Sequence, residues 1–162
     1  MQIILTKPVI WLVNKLSSKP DTERVHTALT KLYEHSLEHP GKKGFVMDMK
    51  PSTDRFIIFS DQHKGTKNGS DDFMNAEPNY LAALDYYHQQ NFHFVSLGDS
   101  EELWENTVWP VKSKNKITTE AEKKFLAAKR FTKVFGNHDT YWNNDPFAGL
   151  QLMSMYGEPV KI

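Results

Sequence analysis

Three short apolar runs punctuate the chain: "RFIIFS" (55–60), "FHFVSL" (92–97) and "FTKVF" (131–135). Each is rich in aromatic or β-branched residues and short enough for a buried strand. Between them the hydrophobic period lengthens. "EPNYLAALDYYHQQN" (77–91) sets Leu81, Leu84 and Tyr87 on one helical face, with Pro78 suited to the first turn. "TEAEKKFLAAKRF" (119–131) predicts a second helix, opened by a capping box of Thr119 and Glu122. A last helix is expected from about Pro146 to Met155. Upstream, residues 8–39 are helix-like. Val9, Leu12, Val13 and Leu16 recur at helical spacing, and Val25, Leu29, Leu32 and Leu37 less regularly. "SSKPD" (17–21) separates the two stretches, with Pro20 and Asp21 as stop and restart. "HPGKKG" (39–44) and residues 61–76 read as loops, and 105–118 as irregular chain broken by Pro110.

The order strand, helix, strand, helix, strand, helix predicts a layered α/β domain of parallel strands joined by right-handed crossovers. The C-terminal ends of all three strands then share one edge of the sheet. A helical segment over 1–44 precedes this domain, which occupies 45–162.

Composition narrows the class. A chain of 162 residues holds one compact domain and not comfortably two. Twenty Lys and Arg balance twenty Asp and Glu, so no global basic field argues for nucleic acid. The absence of cysteine removes disulfides, thiolate metal sites and Cys nucleophiles together. The apolar run "PVIWLV" (8–13) is too short for a membrane span. A cytoplasmic protein is expected. The segment 8–16, with Trp11, suits packing against the domain, or contact with a membrane or partner.

Each strand ends in a polar cluster. The first gives Asp61 and His63, the second Asp99 within "GDSEE", the third Asn137 and His138 within "GNHD". Asp61, Asp99 and Asn137 stand 38 residues apart (99 − 61 and 137 − 99), as successive strand–helix units of similar size would give. Carboxylates, an amide oxygen and an imidazole suit Mn, Fe, Zn or Mg rather than a soft metal. An Asp between two ions can bridge them, and a two-metal centre polarises a phosphoryl oxygen and activates water. Gly98 and Gly136 precede Asp99 and Asn137 and allow sharp turns and close approach.

"DQH", "GDSEE" and "GNHD", in this order behind three strands, resemble the first three signature blocks of the calcineurin-like metallophosphoesterases. The resemblance covers about 55–142. It implies two mixed sheets flanked by helices, with only the N-terminal strand–helix–strand half in this chain. It also implies two divalent cations and hydrolysis of a phosphate ester or pyrophosphate. By the same resemblance Asp61 and His63 bind the first metal, Asp99 bridges, and Asn137 binds the second. His138 faces the substrate phosphate, stabilising charge or protonating the leaving oxygen. Asp139 orients His138 or its loop, and Glu102 supports rather than ligates. The substrate is expected to be a phosphorylated small molecule or lipid. "GDSEELW" is also similar to the UDP-diacylglucosamine pyrophosphohydrolases, which usually carry Arg where His138 stands.

The family has two further blocks, a lone His and G-H-x-H. The seven histidines here lie at 26, 35, 39, 63, 88, 93 and 138, so none follows 138. The expectation is therefore a fragment with at most one weakly bound metal, little activity and a tendency to self-associate. An inactive scaffold with the same fold is the alternative, and a nuclease would share the same metal site. Lys64 and Lys67 read as solvated, with phosphate contact as the alternative. Trp104, Trp109 and Trp142 read as core or cover, or as the wall of a substrate groove. His88 and His93 read as surface or core-edge residues.

Overall fold

The computed structural model describes residues 2–42, 46–69 and 71–160, so Lys43 and Gly44 of the expected 39–44 loop lie outside the described residues. The chain divides into two units, 1–48 and 49–162. The first holds α1 (Gln2–Leu16) and α2 (Thr22–Glu38). Asp21 is the expected restart: its carboxylate accepts from the Arg24 N–H at 3.0 Å and caps α2. The apolar positions of both helices, Val9, Leu12, Val13 and Leu16 and Val25, Leu29, Leu32 and Leu37, are exposed.

The second unit runs β1 (Phe56–Phe59), α3 (Phe73–Gln89), β2 (His93–Leu97), α4 (Val108–Lys114), α5 (Lys116–Ala127), β3 (Phe131–Val134), α6 (Tyr141–Asn144) and α7 (Ala148–Tyr156). The strands form one sheet in the order β1-β2-β3, parallel throughout. Two mixed sheets, implied by the family resemblance, are therefore not what the described residues form. Phe56 pairs with His93 and Phe94 with Phe131, an offset of 37 residues each time (93 − 56 and 131 − 94), so the three strands end level.

Both crossovers step the same way across the sheet. Right-handed connections then put α3 and α5 on the same face. There Phe73, Tyr80 and Leu84 from α3 and Phe125 from α5 bury Phe94, with Ile57, Phe59 and Phe131 packed against them. A second cluster joins Val108, Trp142, Ala148, Leu152, Met155 and Tyr156. The period of two sends Ile58, Leu97 and Val134 to the other face, where they are 55%, 47% and 36% exposed. One side of the sheet is thus an apolar surface without cover among the described residues.

Three element boundaries differ from the sequence expectation. α3 begins at Phe73 rather than 77, because Phe73 enters the core and the Asp71 carboxylate caps it through the Met74 N–H at 3.2 Å. Residues 108–114 are helical despite Pro110, which falls in the first turn where its missing N–H has no intrahelical role. α5 begins at Lys116, so Thr119 and Glu122 form no capping box. Asn115 separates α4 from α5 by one residue, its side-chain amide donating to the carbonyls of Gly65 and Val111, both at 2.8 Å. Thr119 instead donates back to the Asn115 carbonyl at 3.0 Å.

Glu122 has a larger part. It is fully buried, on the helix face that also carries Thr118 and Phe125. Its carboxylate accepts from Lys64 at 2.7 Å, Tyr80 at 2.9 Å and Tyr156 at 2.6 Å. Lys64 lies 3.2 Å from Glu101, which Lys133 also contacts at 2.8 Å, and Trp142 donates to Glu101 at 2.8 Å. Two buried lysines and two buried glutamates therefore neutralise one another, with their oxygens satisfied by phenol and indole donors. The expectation that Lys64 is solvated is corrected: it is 2% exposed.

Burial alone would raise the Glu101 carboxyl, but the ammonium groups of Lys133 and Lys64 outweigh it and bring it from 4.5 to about 2. Burial would lower Lys64, but Glu122 and Glu101 outweigh it and raise it above its ordinary value. Burial, reinforced by the Glu122 charge, raises Tyr80 and Tyr156 well above 10.0. The depressed Glu101 stabilises the fold above 4.5, and that contribution is lost as pH falls toward 2. The raised Lys64, Tyr80 and Tyr156 act in the opposite direction, losing their contribution as pH climbs past about 10. Urea midpoints measured against pH should accordingly fall at both ends. Glu122→Ala should cost about 3–5 kcal/mol, because Lys64 and two phenols lose a buried partner; a change under 1 kcal/mol would show the network to be idle.

Candidate metal centre

The polar clusters emerge where the three strands end level. The chain there adopts conformations that non-glycine residues avoid: Asp61, His63 and Asp99 have φ of 57°, 48° and 49°, and Gly98 has 71°. Left-handed backbone at three non-glycine residues is strain of the kind that collects at functional sites. Backbone hydrogen bonds hold it. Asp61 N–H donates to Gly98 O (3.3 Å), His63 N–H to Asp99 O (2.9 Å) and Lys64 N–H to Ser100 O (3.0 Å), so the loops after β1 and β2 are zipped in parallel.

Asp139 ties in the third loop. Its buried carboxylate accepts from the backbone N–H groups of Gly136 (2.6 Å), Ser100 (2.9 Å) and Asp99 (3.2 Å). The sequence reading gave it a catalytic or orienting part, and its environment is that of an orienting residue. His138 N–H donates to Asp99 Oδ1 at 2.7 Å, closing the same junction. Gly136 is required by proximity rather than by φ, since a Cβ there would sit 2.3 Å from Asp99 Oδ1.

Two sets of three donors result. Asp61, His63 and Asp99 offer one atom each, all within 4.8 Å of one another, and so do His63, Glu102 and His138. Glu102 decides between them. Its Oε2 lies 3.0 Å from His63 Nδ1 and 2.7 Å from His138 Nδ1. A carboxylate only accepts, so both Nδ1 atoms carry the proton and both Nε2 atoms are left free. Burial would raise the Glu102 carboxyl, but the hydrogen bonds from His63 and His138 outweigh it and hold it below the usual range. His63 Nε2 is 4.0 Å from Asp61 Oδ1, within twice the roughly 2.1 Å bond length of a divalent ion to such donors. The set Asp61, His63 and Asp99 thus fits one ion, with Glu102 fixing the histidine behind it.

Asn137 is exposed, and its backbone carbonyl accepts from the Trp104 indole N–H at 2.7 Å. That indole stacks on His138, with centroids 3.9 Å apart and planes 20° apart. Of the three tryptophans weighed as groove or core, Trp104 stands at the site, Trp142 is core and Trp109 is exposed away from either cluster. Lys67 is not free in solvent but bonded to Glu77 at 2.5 Å. His88 and His93 hydrogen-bond Lys124 O at 3.2 Å and Thr132 Oγ1 at 2.8 Å, as core-edge residues do.

Glu101 and Lys133, directly beneath the site, were not singled out from sequence. The signal for Lys133 was the two-residue period, which places it on the buried face with Phe131. Neither a protein-family model, nor a curated protein, nor a solved structure matches the chain.

Gly136→Ala should displace the Asp99 carboxylate, lower manganese affinity at least ten-fold and destabilise the fold by about 1–3 kcal/mol. Gly149→Ala, where an added Cβ meets nothing within 4 Å, is the control and should leave both unchanged or slightly improved. Calorimetric titration and thermal melts of the two variants check this.

Proposed function

We propose that the chain is a metal-dependent phosphohydrolase of the calcineurin-like metallophosphoesterase type. One observation carries the reading: the donor atoms of Asp61, His63 and Asp99 converge within 4.8 Å at the C-terminal edge of a parallel sheet, beside a histidine oriented by Glu102. Asp61, His63 and Asp99 would hold the first cation, and Asp99 with Asn137 is the pair available to a second. Bound there, a divalent cation supplies Lewis-acid polarisation of a phosphoryl oxygen and lowers the pKa of water.

The remaining chemistry belongs to the chain. Glu102 anchors His138 through Nδ1–H, and once Nε2 also carries a proton it would donate to a phosphate oxygen or pass that proton to the leaving oxygen. Trp104 covers one face of that ring and fixes its plane. Asp139 holds the Asp99 and Gly136 amides together and the His138 N–H holds Asp99 Oδ1, so the Asp99 carboxylate would need little reorganisation to meet a cation. The substrate is a phosphate ester or pyrophosphate on a small molecule or lipid, and the setting cytoplasmic. A binding scaffold with the same fold is the second reading. Its support is that this reading assigns Asp99 and Asn137 to the second cation among the described residues, where a site usually needs three donors or more.

Manganese titration should give at most one ion, bound weakly, and Asp99→Ala should abolish it. Hydrolysis of p-nitrophenyl phosphate or its diester should be slow, well below about 1 per second, manganese-dependent, and lost in Asp99→Ala. His138→Ala should lower it by a further ~10²–10⁴-fold. Manganese binding without any turnover would favour the scaffold, and turnover indifferent to Asp99→Ala would contradict both readings.

A further inference from the structure

Glu102 Oε2 sits between two imidazoles, 3.0 Å from His63 Nδ1 and 2.7 Å from His138 Nδ1. The three side chains leave the loops after β1, β2 and β3, and all are partly buried. Each is held from outside the trio or by its neighbour. The Trp104 backbone N–H donates to Glu102 Oε1 at 3.2 Å, which leaves Oε2 to the rings. The Trp104 indole stacks on His138, and its own N–H is taken by Asn137 O. The His63 and His138 rings stand edge to face, with centroids 4.3 Å apart. Three donors of one cation-binding class thus meet with their rotamers already set.

We propose that His63, Glu102 and His138 form a zinc site that competes with the manganese set of Asp61, His63 and Asp99. Zinc bonds of about 2.0–2.1 Å place tetrahedral donors about 3.3 Å apart. An ion can therefore take the place of the two shared protons with small movements of the rings. Donor chemistry sorts the ions: two imidazoles and one carboxylate suit zinc, whereas two carboxylates and one imidazole suit manganese better. The protons balance within each ring. Zinc takes Nδ1, the proton passes to Nε2, and the neutral imidazole stays neutral. His63 Nε2–H then faces Asp61 Oδ1, 4.0 Å away, as the outer carboxylate that zinc-bound histidines commonly have. With Nε2 protonated, His63 no longer serves the manganese set, so the two sites exclude each other. The zinc site stands on its own geometry, and its inhibitory effect rests on the phosphohydrolase reading.

The test is titration of the full chain with zinc, read by calorimetry and by long-range proton–nitrogen NMR of the histidine rings. One zinc should bind per chain, and the His63 and His138 rings should both change from Nδ1–H to Nε2–H. Glu102→Gln and His138→Ala should each weaken zinc by more than the roughly 10–100-fold typical of an outer partner, while manganese binding survives in His138→Ala. Asp99→Asn, which keeps an oxygen for the His138 N–H, should lose manganese and keep zinc. Zinc should release manganese from the wild-type chain, seen as the return of the free-ion EPR signal, and stop hydrolysis. Should His138→Ala misfold, the ring tautomers and Glu102→Gln still decide. The proposal is overturned if zinc does not bind, if the His138 ring stays Nδ1–H with zinc bound, or if Asp99→Asn loses zinc as it loses manganese. Zinc binding with both rings switched, in a chain that neither binds manganese nor hydrolyses, would keep the site and remove only the phosphohydrolase reading.

Discussion

Everything at the strand ends rests on four buried charges. Lys64, Glu101, Glu122 and Lys133 lie between the sheet and its helices, each 2% exposed or less. A buried charge without a partner costs several kcal/mol, so these four cannot be moved singly. Each comes from a different element: the loop after β1, the loop after β2, α5 and β3. Tyr80 from α3, Tyr156 from α7 and Trp142 from α6 complete the hydrogen bonding. The network therefore fixes where the first two loops leave the sheet, which a wholly apolar core, indifferent to small shifts, would do less sharply.

Above that base the backbone is held in a costly shape. Asp61, His63 and Asp99 take left-handed conformations that non-glycine residues adopt sparsely. The cost is borne by the zipped amides of the two loops and by Asp139, which gathers three strong backbone donors at one carboxylate. What the strain achieves is convergence: two carboxylates and an imidazole reach one point from two strand ends. Glu102, satisfied by both histidines, sets which imidazole nitrogen each one presents.

Much of this was legible in the chain. The three strands, the parallel order and the meeting of the polar clusters follow from apolar runs at even spacing, and register explains why evenness mattered. What stayed hidden was the fate of the charges. Lys64 and Glu122 read as a solvated lysine and a helix cap because each has a sufficient local explanation, and only tertiary packing brings them within 2.7 Å. Asp139 read as orienting His138 or its loop, and its hydrogen bonds run to Gly136 of that loop and, beyond what the sequence indicates, to the loop after β2. Local propensity also misplaced the starts of α3 and α5, where Phe73 and Asn115 answer to the core rather than to a capping rule.

The central claim is that this base assembles a cation site from Asp61, His63 and Asp99. The most direct measurement is anomalous diffraction from crystals soaked in manganese. A single peak within roughly 2.0–2.3 Å of donor atoms on those three residues is the predicted result. A peak held instead by His63, Glu102 and His138, or none at millimolar manganese, would contradict it.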